Sequence, residues 1–478
     1  MGGTGVTGRL PRFVAGNPWV LAGIALGVVF SLVVLLAQGH GITFLWDDFS
    51  ILGRMDRLPR PRAWLEPFNQ HCAPLFMLFV DLEHRVFAGD YRLYLVVLWC
   101  LHVANIALLG ALLRARTGDR AAGLATAAFG VATTYRHVLW WMTTTCIALC
   151  FLVSVLAFLA ADRYRARGGA VWLSLSLASV FAAPLTFGSG LSLGPIVALE
   201  AWVSSAREKR VRNAAPIVAV WAVSCGLQLA FAFSEDNAAL PRSTHELGQA
   251  AAFFVEMLGL GFVYQVPLIP LAPSFGLGAG LALGYATLLG LLLRRLAQRE
   301  RTSVLVAHVY LVAVLAPIAL VRWKRIDHPM LPAGSSHYQY MPAIVWTTTL
   351  AFALERALAA APRATTAIAG LALAVLAGGH AYVAATDAWW IAPATRRTMR
   401  QAELVGLVVS IARETKTPVY DAPLPDTFAW PDTRLRDVVA IVAPGVHGLW
   451  TDEKTRESVA PLKSSSLLRS ALHLQGDP

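Results

Sequence analysis

Long runs of apolar residues, separated by short polar segments, account for most of the 478-residue chain. Many of these runs approach 20 residues, the length that an α-helix needs to cross the hydrocarbon core of a bilayer. The pattern predicts an all-α polytopic membrane protein with about eleven transmembrane helices. The predicted spans are residues 19–38, 91–113, 120–139, 143–161, 170–185, 189–204, 214–233, 274–293, 303–321, 341–358 and 364–385.

One further apolar run, residues 249–270, is predicted not to span. It contains Glu256, Gln265, Pro267 and Pro270, which are unfavourable on a lipid-facing span. Counting it as a span would also reverse the orientation of everything that follows. We therefore predict an interfacial or re-entrant helix in the outer leaflet.

Composition and charge agree with the membrane assignment. Apolar residues make up 56% of the chain and charged residues only 14%, against about 25% in a typical soluble domain. The net charge of +11 lies mostly in short loops that are all cytoplasmic if the N-terminus is cytoplasmic. The positive-inside rule accounts for this charge, so no nucleic-acid partner is predicted. The cations concerned are Arg114, Arg116, Arg120, Arg163, Arg165, Arg167, Arg207, Lys209, Arg210, Arg212, Arg294, Arg295, Arg299, Arg301, Arg356 and Arg363.

This orientation divides the chain into three parts. Residues 1–18 form a cytoplasmic N-terminus, and residues 19–385 form a transmembrane domain with a long extracytoplasmic loop, residues 39–90. Residues 386–478 form an extracytoplasmic tail. Its helix-like stretch "AELVGLVVSIARE" and strand-like stretch "VVAIVAP" predict a small α/β appendage.

The long loop opens with "WDDF", in which Asp47 and Asp48 lie between Trp46 and Phe49. One interpretation is that the two acids are solvated charges or a cap at a helix end. The other is that the aromatic neighbours exclude water, so that one carboxylate accepts a proton and the other orients a ligand or a cation.

The remainder of the loop combines polar residues with an apolar stripe. Glu66, Asn69 and His71, together with Trp46, are predicted to face a cleft above the membrane, with His71 a candidate ligand or catalytic group. An apolar stripe at helical spacing predicts a helix lying on the membrane surface. The stripe consists of Leu75, Leu78, Phe79, Leu82 and Val86.

Two other outward segments carry cations. Arg322, Lys324 and Arg325, followed by His337, oppose the positive-inside rule, and either an anionic lipid phosphate or interfacial snorkelling explains them. In "TTYRHVLWWMTTT", Arg136 and His137 are predicted to line the same cleft, while an aromatic belt explains the tryptophans.

These features in this order resemble the GT-C glycosyltransferases, and most closely their protein O-mannosyltransferase-like branch. The likeness lies in one N-terminal span followed by "WDDF" and a membrane-lying helix, and in the later stretches "AAFGVATTYRHVLWWMTTTCIALCFL" and "SHYQYMPA". It covers roughly residues 15–385 in layout. The late motif has His337 where the family commonly carries an arginine, and "TTYRH" replaces the family's usual turn.

The resemblance implies an integral membrane enzyme that takes a sugar from a polyprenyl-phosphate carrier. Asp47, with Asp48 as the other candidate, would deprotonate an acceptor hydroxyl in an inverting transfer. Arg322, Lys324, Arg325 and His337 would bind the donor phosphate. The list of predicted cleft residues is Trp46, Glu66, Asn69, His71, Arg136, His137, Tyr338 and Tyr340.

Several points stay open at this stage. The acceptor is a glycan, a protein or a lipid, and the membrane is expected to be a bacterial plasma membrane. A divalent metal, Mg²⁺ or Mn²⁺, at Asp47 and Asp48 is compatible with the acid pair, although nothing requires it. The alternative function is a transporter or flippase of a lipid-linked substrate, which also needs polar groups within the membrane.

Overall fold

The computed structural model describes an all-helical protein. The described residues are 17–38, 46–67, 72–87, 90–132, 135, 138–139, 141–232, 240–263, 275–322 and 336–386, and they contain no β-strand. The predicted α/β appendage, residues 386–478, lies outside the described residues apart from Thr386.

Most of the described residues belong to α-helices. In chain order they are α1 Pro18–Gln38, α2 Trp46–Arg57, α3 Arg60–Leu65, α4 Pro74–Phe87, α5 Tyr91–Arg116, α6 Asp119–Val131, α7 Thr145–Arg167, α8 Ala170–Thr186, α9 Leu193–Val203, α10 Arg210–Ala232, α11 Thr244–Val263, α12 Phe275–Arg295, α13 Gln298–Arg322, α14 Ser336–Tyr340, α15 Ala343–Ala360 and α16 Pro362–Thr386.

Among the described residues, seven helices are long and apolar enough to cross a bilayer, and the protein is an integral membrane protein. They lie at α1, α5, α7, α12, α13, α15 and α16, each on a predicted span. The other predicted spans fall on α6, α8, α9 and α10, which are not among the seven. The count of eleven therefore stays a prediction.

Glycines bring α1 and α6 into close parallel contact. A Cβ at Gly23 would lie 2.3 Å from the carbonyl oxygen of Gly123, and a Cβ at Gly27 would lie 2.9 Å from the Cα of Gly130. Small residues at such interfaces let helix backbones approach closely, which compensates for the weak hydrophobic drive between helices in lipid. Asp119 fixes the pairing by accepting the backbone N–H of Trp19 at 3.1 Å.

Charged residues gather at one end of the bundle, named the basic end here. Arg116 at the end of α5 donates to Asp162 on α7 at 2.8 Å and to Glu200 on α9 at 2.8 Å. Nearby, Glu355 on α15 accepts the backbone N–H of Gly118, and Arg356 pairs with Glu300 on α13. The described termini of α1, α5, α6, α7, α9, α13 and α15 therefore meet at this end.

Helices α2 to α4 cover the opposite end. Helix α4 contacts α2, α3, α5, α7 and α8, and it buries Phe76, Met77 and Val80. Its predicted apolar stripe faces outward, since Leu82 and Val86 are well exposed. The predicted surface helix is thus confirmed as a helix, with its stripe available to lipid.

Helix α11 occupies part of the run 249–270 that was predicted not to span. It packs against α12 and α13, burying Phe253 and Met257, and it is not among the seven candidate spans. Glu256 is also buried, and the close approach of Gly259 to Gly278 joins α11 to α12. Its placement in the outer leaflet stays a prediction, and residues 264–274 lie outside the described residues.

The glycine contact predicts opposite effects for two identical substitutions. Gly23→Ala should destabilise the protein by about 1–3 kcal/mol, because the added methyl group meets the Gly123 backbone. Gly284→Ala on α12 should be neutral or stabilising by up to about 1 kcal/mol, because its Cβ meets no atom within 4 Å and alanine favours the helix. Thermal unfolding in detergent measures both, and equal effects would contradict the close α1–α6 contact.

Candidate functional site

The acid pair lies in the first turn of α2, at the end of the bundle opposite the basic end. Acidic side chains are favoured there, because the helix dipole places partial positive charge at the N-terminus. Both are nevertheless buried, with 4% of Asp47 and none of Asp48 exposed. A solvated helix cap does not describe this burial, so the interpretation of a desolvated acid pair is the better one.

Asp48 is held by a residue 95 positions away. Its Oδ1 atom accepts the backbone N–H of Thr143 at 2.9 Å and the hydroxyl of the same residue at 2.6 Å. Thr143 lies in the 3-10 turn Met142–Thr144 that leads into α7. The lone pairs of Asp48 Oδ1 are thereby engaged and the carboxylate has one orientation.

Two buried tyrosines from α5 lie within electrostatic range of Asp48. The charge of Asp48 acts on the phenol groups of both Tyr91 and Tyr94, and the charge of Glu83 on α4 acts on Tyr94 as well. The Tyr94 ring also packs edge-on against Phe87, with centroids 5.2 Å apart. Tyr94 therefore packs against α4 and lies within electrostatic range of Asp48.

Helix α4 carries two buried carboxyls in opposite environments. Burial alone would raise the pKa of Asp81, but the hydrogen bond and charge of Arg85, with Trp64 and Arg60, lower it overall. Glu83 lies roughly 200° further round the helix, away from those cations. Burial raises the pKa of Glu83 to about 8.

Neither carboxyl oxygen of Glu83 has a hydrogen-bond partner among the residues that the structure describes, and only 4% of the residue is exposed. The cations of α2 to α4 whose side chains are described have other partners. Arg85 pairs with Asp81, and His84 pairs with Asp56 at 3.0 Å. Arg54 donates to the backbone carbonyls of Glu66 and Pro67, which fastens α2 to the turn after α3.

The predicted cleft residues divide into several cases. Trp46 begins α2, and only its backbone belongs to the described part of the chain. Glu66 accepts from Arg62 at 3.3 Å, and Tyr338 is half-buried at the start of α14. Their predicted roles stay predictions.

Tyr340 lies inside the bundle with no exposed surface. Its hydroxyl accepts from Asn105 at 3.0 Å and bonds His102 Nδ1 at 2.8 Å, and Asn105 also donates to the carbonyl of Ala148. Since Asn105 supplies a donor, the Tyr340 proton is available to His102 Nδ1, which favours an imidazole protonated on Nε2. The described contacts of Tyr340 therefore join α5 to α7 and α14.

The predicted phosphate-binding group is only partly described. Arg322 ends α13 and is half-buried. His337 belongs to α14, and only its backbone is described. Six predicted site residues lie outside the described residues: Asn69, His71, Arg136, His137, Lys324 and Arg325.

A divalent metal gains no support here. Within the described part of the chain, no group of three or more His, Cys, Asp or Glu side chains could hold a metal ion. The metal at Asp47 and Asp48 stays a prediction.

Thr143 and Tyr94 are functional candidates that the sequence did not single out. Thr143 is one of three consecutive threonines, and nothing local shows that it meets Asp48. Glu83 is a third such candidate, and its helical register with Phe76, Val80 and Phe87 is the signal in the sequence for its burial.

The raised pKa of Glu83 predicts that the stability of the protein falls as the pH rises. The folded-state pKa of Glu83, about 8, lies above its ordinary value of 4.5. Its contribution to the free energy of unfolding is therefore fully present below pH 4.5 and is lost as the pH rises through about 8. Glu83→Gln should remove that loss, which is about 5 kcal/mol at full ionisation. Thermal unfolding between pH 5 and pH 9 measures the difference in slope between wild type and variant.

Asp81→Asn is the matched control on the same helix. The lowered pKa of Asp81 gives a stabilising contribution that is present at neutral pH and is lost as the pH falls through the folded-state value. Asp81→Asn should therefore destabilise the protein at pH 7 and less so in acid. Parallel pH profiles for wild type and Glu83→Gln would contradict the buried, unpartnered carboxyl.

The comparisons with known proteins add no family to this picture. Neither a protein-family model nor a curated protein sequence matches the chain.

Proposed function

We propose that the protein is an inverting glycosyltransferase of the GT-C type, which moves a sugar from a polyprenyl-phosphate donor to an acceptor hydroxyl. The observation that carries the proposal is the buried pair Asp47 and Asp48, of which Asp48 is fixed by two hydrogen bonds from Thr143. Buried carboxylates at a membrane end provide a base in a water-poor setting, where proton abstraction from a hydroxyl is effective.

The proposed orientation places the basic end in the cytoplasm and the acid pair outside, in a bacterial plasma membrane. The positive-inside rule supports it, because Arg114, Arg116, Arg165 and Arg356 all lie at the basic end. The eleven-span arrangement needs α1 and α6 to run outward and α5 and α7 to run inward. The contacts of Trp19 with Asp119 and of Arg116 with Asp162 fit those directions.

In the proposed reaction, Asp47 accepts the proton of the acceptor hydroxyl while Asp48 holds position against Thr143. The hydroxyl oxygen attacks C1 of the sugar from the face opposite the phosphate, so the configuration inverts. The bond between C1 and the phosphate oxygen breaks, and the polyprenyl phosphate leaves with the electron pair. A cation among Arg322, Lys324, Arg325 and His337 would stabilise the charge on the leaving phosphate.

The donor is already activated by its phosphate, so this reaction does not require a nucleotide. Its polyprenyl tail would lie in the bilayer, and the predicted cleft residues would contact the sugar or the acceptor. The acceptor class stays open among a glycan, a protein and a lipid.

A transporter or flippase is the second candidate, and one observation favours it. His102 and Asn105 are wholly buried near the middle of α5, and His102 lies about 17 Å along the helix from Tyr91 and about 21 Å from Arg116. Polar groups at this depth are often part of a substrate or proton path. Their hydrogen bonds with Tyr340 and Ala148 equally suit a role in packing.

The orientation predicts that residues after about 400 are extracytoplasmic. A single cysteine introduced there, in an otherwise cysteine-free variant, should react with a membrane-impermeant maleimide in intact cells. Labelling that requires permeabilised cells would overturn the proposed orientation and the count of eleven spans.

Glycosyl transfer predicts a strong effect at the acid pair. Asp47→Asn should reduce transfer of radiolabelled sugar from polyprenyl-phosphate mannose, glucose or arabinose by about 10²–10⁴-fold, because the general base is lost. Glu208→Gln, an exposed carboxylate near the basic end, is the matched control and should retain transfer.

The assay uses purified protein in liposomes that contain one labelled donor at a time, with membrane extracts as the acceptor source. A larger loss in Asp48→Asn than in Asp47→Asn would make Asp48 the base. Full transfer by both variants would eliminate the base assignment, and movement of the donor across the bilayer without a new glycosidic bond would favour transport.

A further inference from the structure

We propose that Glu83 binds a hydroxyl group of the transferred sugar through its carboxyl group. This inference rests on the proposed function, because it assigns the polar ligand of the same site. Its basis is a side chain that is almost wholly buried, has no hydrogen-bond partner among the described residues for either oxygen, and lies within electrostatic range of Tyr94, as Asp48 does.

The position of Glu83 is set by the face of α4 on which it lies. One turn further along, Phe87 packs against Tyr94 of α5, so this face of α4 is directed at α5. Tyr94 is acted on by the charges of both Glu83 and Asp48. Glu83 on α4 and Asp48 on α2 therefore both lie within electrostatic range of Tyr94.

Packing does not explain a carboxyl at this position. The buried neighbours Phe76, Met77 and Val80 on the same helix are apolar, and the polar group near Glu83 on α5 is the Tyr94 phenol. A buried carboxyl without a partner costs stability, whereas its replacement by an apolar side chain removes that cost. Residues that cost stability in this way are typical of binding sites, where the missing partner is the ligand.

The surroundings of Glu83 favour a hydroxyl-bearing ligand over a metal ion. A metal ion would need further ligands, and the described His, Cys, Asp and Glu side chains include no group of three that could hold one. The nearest described cations are engaged, Arg85 with Asp81 and His84 with Asp56. A neutral carboxyl offers one donor and one acceptor, which a sugar hydroxyl matches on both counts.

The test compares Glu83→Leu, Glu83→Gln and wild type as full-length chains in nanodiscs. Glu83→Leu should unfold at a higher temperature than wild type and should lose the stabilisation that free mannose, glucose, galactose or arabinose gives to wild type. Its KM for the polyprenyl-phosphate sugar should rise about tenfold, while Glu83→Gln stays within about threefold of wild type. Glu208→Leu, the same substitution at an exposed site, should change none of these quantities.

Two results would overturn the proposal. One is a lower unfolding temperature for Glu83→Leu, which would show that the carboxyl stabilises the fold. The other is a sugar-induced stabilisation that Glu83→Leu retains, or that wild type lacks with all four sugars.

The failure of the proposed function is separable from the failure of this inference. Asp47→Asn should keep the sugar-induced stabilisation, because Glu83 is intact. Stabilisation by sugar with no transfer from any donor would reject the glycosyltransferase and leave the Glu83 assignment standing.

Discussion

Hydrocarbon forms no hydrogen bonds, so each polar group within the bundle needs a protein partner. At the basic end, Arg116 meets Asp162 and Glu200, and the backbone N–H of Gly118 meets Glu355. Deeper in the bundle, Tyr340 joins Asn105 and His102. The close contact of α1 with α6 depends on the same constraint, because lipid offers no hydrophobic drive and glycines supply the tight fit instead.

The end that carries Asp47 and Asp48 is arranged differently. Asp81 is satisfied by Arg85 and Trp64, and Asp48 is satisfied by Thr143, as the constraint requires. Glu83 is satisfied by no described residue, although it lies on the same helix as Asp81. Because Glu83 is buried without a described partner, whereas Asp81 and Asp48 have partners, we expect this end of the molecule to bind a ligand. This contrast links the fold to the proposed glycosyl transfer.

Hydropathy and charge predicted most of the helices, because the bilayer imposes a length and a polarity on each span. The exposed apolar stripe of α4 was also predictable, since Leu78, Leu82 and Val86 repeat at helical spacing. The glycines of α1 and α6 were not recognised, because their meaning depends on which helices become neighbours. Thr143 could not be assigned to Asp48, since no local pattern records a hydrogen bond across 95 positions. Tyr340 was predicted to line a cleft, and the structure gives its hydroxyl partners inside the bundle.

The central claim is that Asp47 is the base of a sugar transfer from a polyprenyl-phosphate donor. The most direct measurement is a comparison of cellular glycans and polyprenyl-phosphate sugars with and without the protein. The account predicts that deletion removes one sugar from a cell-surface glycan, glycoprotein or glycolipid, and that its polyprenyl-phosphate donor accumulates. Wild-type protein should restore both, and Asp47→Asn should restore neither. An unchanged glycan profile after deletion, or full restoration by Asp47→Asn, would contradict the account.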